Sequence, residues 1–401
     1  MAGPGWYYLG SKERVQVMSV LKERQLSRYR FDNLDSMSKT MELENRLAAE
    51  LGAGYVLAVN SGTSALLCGL RALGIGRGDE VIVPGYTFIA SIAAIIYSGA
   101  SAVLAEIDDS LTLDVSDVRR KMSKRTKAIM PVHMIGSGAD MTSIGEIANH
   151  QRCAVIEDTA QACGGRHRGR ALGTIGDVGA FSMNVGKTIT TGDGGFLATN
   201  DRGLYERAFA FHDHGFRPNR GGVSEDGPVM GLNLRMNELG AAIGVAQVDR
   251  MDKLLRRCRR NKSLVREVFS GLAGGEERPL HDLEGDCATA FVIIFGSSSR
   301  AARVAAALGG SPLAASAKHN YALMPQLQML QDRVTDNGST VAHGRPGDLP
   351  RTDNVLQRAV ALSVGMVDRY LGTLGDITVI DDPGTVRRKA KRMRGIIDKV
   401  R

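Results

Sequence analysis

The sequence predicts an α/β protein. A large domain carries a mostly parallel sheet with helices on both faces, and a smaller C-terminal α/β domain follows. Three observations predict this. Apolar strand-like runs alternate with segments of helical period between residues 40 and 160. The polar, glycine-bearing motifs follow the strands, at the carboxyl ends where parallel sheets hold their ligands. Near residue 250 the pattern changes, and a long basic amphipathic segment leads into shorter, less regular elements.

In order along the chain, Glu42 to Leu51 places Leu43, Leu47 and Leu51 at helical spacing. Tyr55 to Val59 reads as a short buried strand, Asn60-Ser61-Gly62-Thr63 as a turn, and Ser64 to Leu73 as the next helix. Glu80 to Val83 is a strand ending at Pro84, and Phe88 to Tyr97 an apolar helix. Strands are expected over Ala102 to Ile107, Lys127 to His133 and Ala154 to Ile156, the last ending in Glu157-Asp158, with a helix from Met141 to His150. Helices are expected over Glu238 to Val248 and Arg250 to Leu272. The least regular part is 310–350. The expected division is an N-terminal segment, 1–35, packing on the small domain; a large domain, 36–250; and the small domain, 251–401.

Composition narrows the function classes. Of the 401 residues, 43% are hydrophobic and 23% charged, an ordinary globular balance. No run approaches ~18 uninterrupted apolar residues, so no membrane span is expected. Phe88 to Gly99 comes closest, but it is short and contains Ser91. Met1 to Gly10 lacks a basic start followed by an apolar run, so no secretory leader is expected. The 5 cysteines have no CxxC spacing, which fits a reducing cytoplasm and no structural metal. The net charge of +8 gathers partly in Arg256, Arg257, Arg259, Arg260 and Lys262, and in Arg387, Arg388, Lys389, Lys391, Arg392 and Arg394. No nucleic-acid-binding signature accompanies these clusters, so they read as solvated helix faces.

Four segments carry chemistry. In Asn60-Ser61-Gly62-Thr63-Ser64, a glycine permits close backbone approach and the following helix offers free amides. Its hydroxyls suit either a helix cap or a phosphate. Asp158, at the end of a buried strand, is costly unless partnered. It is either a cap or the carboxylate that keeps a cofactor's pyridine nitrogen protonated. Lys187 stands alone among small residues between Phe181 and Gly195, where a neutral amine could form a Schiff base with an aldehyde, and Ser182 is placed to reach a phosphate. In Met230 to Glu238, Asn233 and Arg235 precede a helix, either as caps or as ligands for a neighbouring subunit.

Together and in this order, these segments resemble the DegT/DnrJ/EryC1/StrS family of sugar aminotransferases, with the PLP fold type I of aspartate aminotransferase. The likeness is close over about residues 35–260 and loose beyond. Gly74 to Pro84, Thr87-Phe88, Pro131-Val132-His133 and Gly176 to Gly179 match as well. The resemblance implies pyridoxal 5'-phosphate (PLP) as cofactor, Lys187 as its Schiff-base lysine and Asp158 as the ring-nitrogen partner. It implies Phe88 stacking on the ring and Gln161 beside the 3-oxygen. Gly62 lies in the cofactor turn, with Thr63, Ser64 and Ser182 as phosphate ligands, and Asn233 arriving from a partner subunit. That last role implies a homodimer with shared sites. Asn184, His212, His214 and Arg217 are candidate substrate contacts, with His319 and Tyr321 from the irregular segment. Asn184 departs from the His or aromatic residue of many members. Arg28 to Asp32, Val132-His133-Met134 and His212 to Gly215 are similar to the branch that installs the 8-amino group of 8-amino-3,8-dideoxy-octulosonate.

The activity implied is transfer of an amino group from glutamate or glutamine to a keto or aldehyde carbon of a sugar, nucleotide-linked or high-carbon, in amino-sugar or antibiotic biosynthesis. The alternative is a PLP-dependent dehydratase or synthase acting on a sugar or cyclic polyol. Related dehydratases replace the lysine by histidine, so Lys187 favours transamination. No nucleic acid or membrane partner is expected.

Overall fold

The computed structural model describes residues 3–29, 37–223, 230–316, 340–345, 347–367 and 372–400. Arg30, Phe31, Asp32, His319 and Tyr321 lie outside the described residues. The large sheet is built from β1 (Tyr55–Val59), β2 (Glu80–Pro84), β3 (Ser101–Ala105), β4 (Thr126–Ile129), β5 (Ala154–Asp158), β8 (Val178–Ser182), β9 (Gly195–Thr199) and β12 (Val341–Ala342). A two-stranded hairpin, β6 (Arg166–His167) and β7 (Arg170–Ala171), stands apart. The order across the sheet is β1-β9-β8-β5-β4-β2-β3-β12. Every neighbouring pair is parallel except those made by β9, which runs against both β1 and β8. β1, β2, β5 and β8 therefore point the same way and end on one edge.

The strands are buried on both faces, and their alternation sorts residues between two cores. Val56, Ile82 and Phe181 face one core, with Leu43, Leu47 and Leu51 of helix α2 (Lys39–Leu51) and Ala241 and Val245 of α8 (Glu238–Val248). Leu57, Val81, Val83 and Ala180 face the other, with Leu66 and Leu70 of α3 (Gly62–Ala72), Ile92 and Ile95 of α4 (Ile89–Ser98), and Phe209 of α7 (Arg202–His212). Helices α5 (Val115–Lys121) and α6 (Met141–Gln151) join the first core through Val118 and through Ile144 and Ile147. β4 stops short of the expected His133 because Pro131 has no amide to continue the ladder.

The N-terminal segment meets both parts of the expected division, with Tyr8 against Arg257 of the 251–401 part. Helix α1 (Ser11–Glu23) packs chiefly on α8 of the large domain. Glu13 binds the Gln247 amide at 3.1 Å and Arg250 at 2.7 Å. The boundary near 250 also proves indistinct. Helix α9 (Met251–Phe269) puts Met251, Leu254, Leu255 and Cys258 into the large-domain core. Leu264, Val265 and Phe269, from its second half, enter the core of the small sheet. That sheet orders β10 (Gly275–Glu277), β11 (Ala290–Phe295), β13 (Ala359–Ser363) and β14 (Thr373–Leu374) in sequence. Between β11 and β13 the chain returns to the large domain. There β12 pairs with β3, Leu349 packs into the large domain's second core, and Glu106 caps the helix Pro350–Arg358 through the amides of Arg351 and Thr352.

The basic clusters are largely engaged within the chain. Lys262 is buried against Asp286 at 2.6 Å, and Arg266 forks onto Glu277. In the C-terminal helix Pro383–Asp398, Arg387, Lys389, Arg392 and Arg394 meet Glu267, Asp381, Asp376 and Asp398. Among the described residues, no helix is long and apolar enough to cross a membrane.

Candidate active site

The ends of β1, β2, β5 and β8 surround a cavity of about 300 Å³. Its lining includes Ser61, Gly62 and Thr63 after β1, Thr87 and Phe88 after β2, Asp158 and Gln161 from β5 onward, and Ser182, Asn184 and Lys187 after β8. Residues more than a hundred positions apart thus meet because parallel strands deliver their loops to one edge.

The β1 loop supplies an anion seat. Ser61 caps α3, its Oγ accepting the Ser64 amide at 3.1 Å. Ser64 donates its hydroxyl to Asn60 at 2.6 Å and lies outside the lining, so Ser61 rather than the expected Ser64 faces the cavity. The amides of Gly62 and Thr63 find no acceptor among the described residues, at the positive end of the helix. Glycine is required at 62, since a Cβ there would stand 2.8 Å from the Ser182 Cβ. Ser182 in turn receives the Asn184 amide at 3.3 Å.

The loop bearing Lys187 is shaped by Asn184. Its side-chain amide donates to Asp193 at 2.9 Å, its Oδ1 accepts the Gly186 amide at 3.2 Å, and its carbonyl accepts the Lys187 amide at 3.0 Å. Asn184 therefore lines the cavity, and its side chain also builds the loop. Behind the loop runs the N-terminal segment. Gly3 donates to the Val185 carbonyl at 3.2 Å, and a Cβ on Gly3 would come within 2.3 Å of the Lys187 carbonyl oxygen.

Asp158 is buried at the end of β5. Its Oδ1 accepts the Ala160 amide at 3.1 Å and its Oδ2 the Ser91 hydroxyl at 2.7 Å. Its neighbour Glu157 points the other way, fully buried. Burial alone would push that carboxyl up; the His133 ring and the Gly176 and Gly173 amides outweigh it and hold Glu157 below the usual carboxylate range. Because the Ala139 amide donates to His133 Nδ1, the proton sits on Nε2 and faces Glu157 at 3.0 Å. This pair fixes β5 on its far side, so the Asp158 carboxylate is held from behind.

Gln161 lines the cavity with its Oε1 on the Ile135 amide at 3.0 Å. Ile135 has a φ of 52°, a strained left-handed conformation for a β-branched residue. Arg278 holds it there: buried, the guanidinium donates to the carbonyls of Met134 and Ile135 at 3.1 and 2.9 Å.

Besides Ser64, four expected residues among the described ones lie outside the lining. Asn233 and His214 are exposed, and Arg217 is half-buried at the start of a short turn. His212 is corrected to a core residue, fully buried, its Nδ1–H on the Phe209 carbonyl and its ring edge-on to Phe209 at 4.5 Å. Of the segments behind the octulosonate likeness, Arg28, Tyr29 and Asp213 make contacts within the fold. Arg28 forks onto Glu44 at 2.5 and 2.8 Å, and Tyr29 donates to Asp213 at 2.6 Å. Burial would raise the Asp213 carboxyl, but Tyr29, Arg220 and Arg235 hold it low. Asp213 thus ties Arg235, and with it the stretch around Asn233, beside β1, where Asn60 donates to the Leu234 carbonyl at 2.8 Å.

The sequence reading missed Ser91 and Thr87 as polar groups of this site. The available signal was a hydroxyl inside an otherwise apolar helix. The assembled donors suit a phosphorylated pyridine aldehyde: free helix amides and Ser182 for the phosphate, Asp158 for a ring nitrogen, and Lys187 for an aldehyde carbon. Among the described residues no cluster of His, Cys, Asp and Glu forms a metal site.

Comparison with known proteins agrees. GDP-perosamine synthase of Escherichia coli O157:H7 is 40% identical over 232 residues, 58% of this chain and 63% of that protein. A putative L-glutamine:3-amino-2,3-dideoxy-scyllo-inosose aminotransferase of Micromonospora echinospora is 36% identical over 252 residues, 63% of this chain and 59% of that protein. The chain thus spans under two thirds of these relatives' length. The crystal structure of 3-amino-5-hydroxybenzoic acid synthase superposes over 100% of both chains with a TM-score of 0.79 at 25% identity. The DegT/DnrJ/EryC1/StrS aminotransferase family model matches residues 21–366, and the chain belongs to that family.

Proposed function

We propose that this protein is a PLP-dependent aminotransferase that moves an amino group from glutamate or glutamine onto a keto or aldehyde carbon of a sugar, in amino-sugar or antibiotic biosynthesis. One observation carries the reading: a single cavity joins Lys187 to a buried, doubly hydrogen-bonded Asp158 and to the free amides of α3. Relatives named for nucleotide-linked and carbocyclic amino sugars support the substrate class. PLP, when bound, supplies the electron sink that makes a proton on the amino-bearing carbon removable. The chain does the rest. The Gly62 and Thr63 amides and Ser182 hold the phosphate, Asp158 holds the proton at the ring nitrogen, and Phe88 and Gln161 set the ring. As general base and acid, Lys187 Nζ would take the proton from the donor's amino-bearing carbon and, in the acceptor half, supply one to the carbon that was the sugar's carbonyl. Ordinary lysine titrates near ~10.4, so Lys187 must be kept neutral during that step. Asn184 holds its loop at the cavity's rim.

In this reading the site is completed in a homodimer, with Asn233, and with it His214 and Arg217, offered to the partner's cavity; the exposure of Asn233 and His214 outside their own cavity supports this. Five unpaired cysteines support a reducing cytoplasm. Lysine rather than histidine at 187 speaks against the dehydratase alternative.

The test is a visible spectrum of the purified protein with PLP, then with glutamate or glutamine. A band that appears with PLP and shifts with a donor is expected, and Lys187→Ala should lose both band and turnover. An active Lys187→Ala protein would overturn the assignment. Asp158→Ala should fold normally yet lose about a thousandfold in rate, roughly 4 kcal/mol of barrier.

A further inference from the structure

We propose that Ser91 is a positioning residue for Asp158, the last link of a directional chain of hydroxyls that begins at Thr87. The inference rests on the reading that Asp158 partners the cofactor's ring nitrogen. Ser91 and Thr87 are both fully buried, in a helix start otherwise lined by Ile89, Ile92, Ile95 and Ile96. Two facts fix the direction of the chain. An ionised carboxylate carries no proton, so the Ser91 hydrogen is spent on Asp158 Oδ2 at 2.7 Å. Thr87, 2.7 Å from Ser91 Oγ, must then be the donor of that pair. Each link polarises the next, which strengthens the bond that reaches Asp158.

The chain acts on the carboxylate in two ways. With the Ala160 amide on Oδ1 and Ser91 on Oδ2, each oxygen carries a fixed donor, so the carboxylate plane cannot turn. Both donors also occupy lone pairs of the carboxylate, so those that remain are the ones it can present to a ring nitrogen. The same turn of helix does a second task. The Ser91 amide bonds to the Phe88 carbonyl at 3.1 Å, so the residue that faces the cavity and the residue that grips Asp158 belong to one rigid turn. Motion at Phe88 is thereby coupled to Asp158.

The experiment compares wild type, Ser91→Ala, Ser91→Thr and Thr87→Val as PLP-loaded proteins. It reads the pH midpoint of the bound cofactor's visible band, then kcat and KM for the amino donor. Without the Ser91 donor the carboxylate can turn away from the ring nitrogen, the ring draws fewer electrons, and the Lys187 nitrogen becomes more basic. The midpoint should rise by about one pH unit in Ser91→Ala, with kcat down roughly tenfold and donor KM little changed. Ser91→Thr restores the hydroxyl and should return both values to within about threefold of wild type, and Thr87→Val should shift the midpoint the same way by less. Hydroxyls that merely fill space predict an unmoved midpoint in Ser91→Ala and Thr87→Val, and that result overturns the proposal. Thr87→Val keeps the test decisive if Ser91→Ala folds poorly. A wild-type protein that takes up no PLP would instead remove the cofactor reading, and this inference with it.

Discussion

His212 is a base with no access to water. Burial drives its imidazole down from 6.5 to about 3, against the opposing pull of the Phe209 carbonyl. The unfolded chain therefore binds a proton below pH 6.5 that the folded chain refuses until near pH 3. Protons favour the unfolded state throughout that window, so this contribution to stability is complete above 6.5 and falls with falling pH. The slope should be about 1.4 kcal/mol per pH unit well inside the window. Urea melts at pH 7, 6 and 5 measure it, and His212→Gln should flatten the pH dependence relative to wild type. Equal slopes would mean that the ring is protonated in the fold. The same residue shows what sequence can reveal at this scale. Lys187 and Asp158 are legible because they contradict their surroundings: a lone cation among small residues and an anion ending an apolar strand. His212 is not, because its fate depends on which face α7 turns into the core, a difference of one residue around the helix. Ser61 and Ser64 were confused for a related reason, since either hydroxyl suits a helix start and only the position of the cap decides which one faces the cavity.

The loop that carries Lys187 is held by an element far from it in sequence. Gly3 and Gly5 run behind it at backbone contact distance, with a Gly5 Cβ only 2.9 Å from the Thr188 carbonyl oxygen. Gly3→Ala should displace the loop and weaken PLP binding roughly tenfold, about 1.4 kcal/mol, measured by titrating the visible band. Gly10→Ala is the control, because its Cβ would meet nothing nearer than the Tyr8 oxygen at 3.8 Å. If both variants titrate as wild type does, the segment only rests against the loop. Such backing cannot be read from sequence, because no local pattern says which distant segment a glycine will lie against. The strands and their helices were legible, because burial on both faces writes continuous apolar runs. The reversal of β9 was not, since an apolar run reads the same in both directions.

On the scale of the molecule, α9 belongs to both cores, so neither closes without it. Leu254→Ala, a change in the first half of α9, should cost about 2–5 kcal/mol. It should lower one common unfolding transition, whether followed by calorimetry or by the band of bound PLP. A second transition that stays at the wild-type temperature would show that the small sheet melts alone. The sequence placed the change of pattern near 250 correctly as the start of a helix. It could not show that this helix is shared, because both halves present the same apolar spacing.

The return of the chain through β12 and the Glu106-capped helix bears on any attempt to recombine this protein with its relatives. A crossover at a single point near 250 would import a foreign edge strand and a foreign helix start along with the small sheet, and these would have to fit β3 and Glu106. A chimera that keeps residues 341–358 native and exchanges the flanking β10–β11 and β13–β14 blocks respects how the chain is threaded. In such a hybrid the native edge of the large sheet survives.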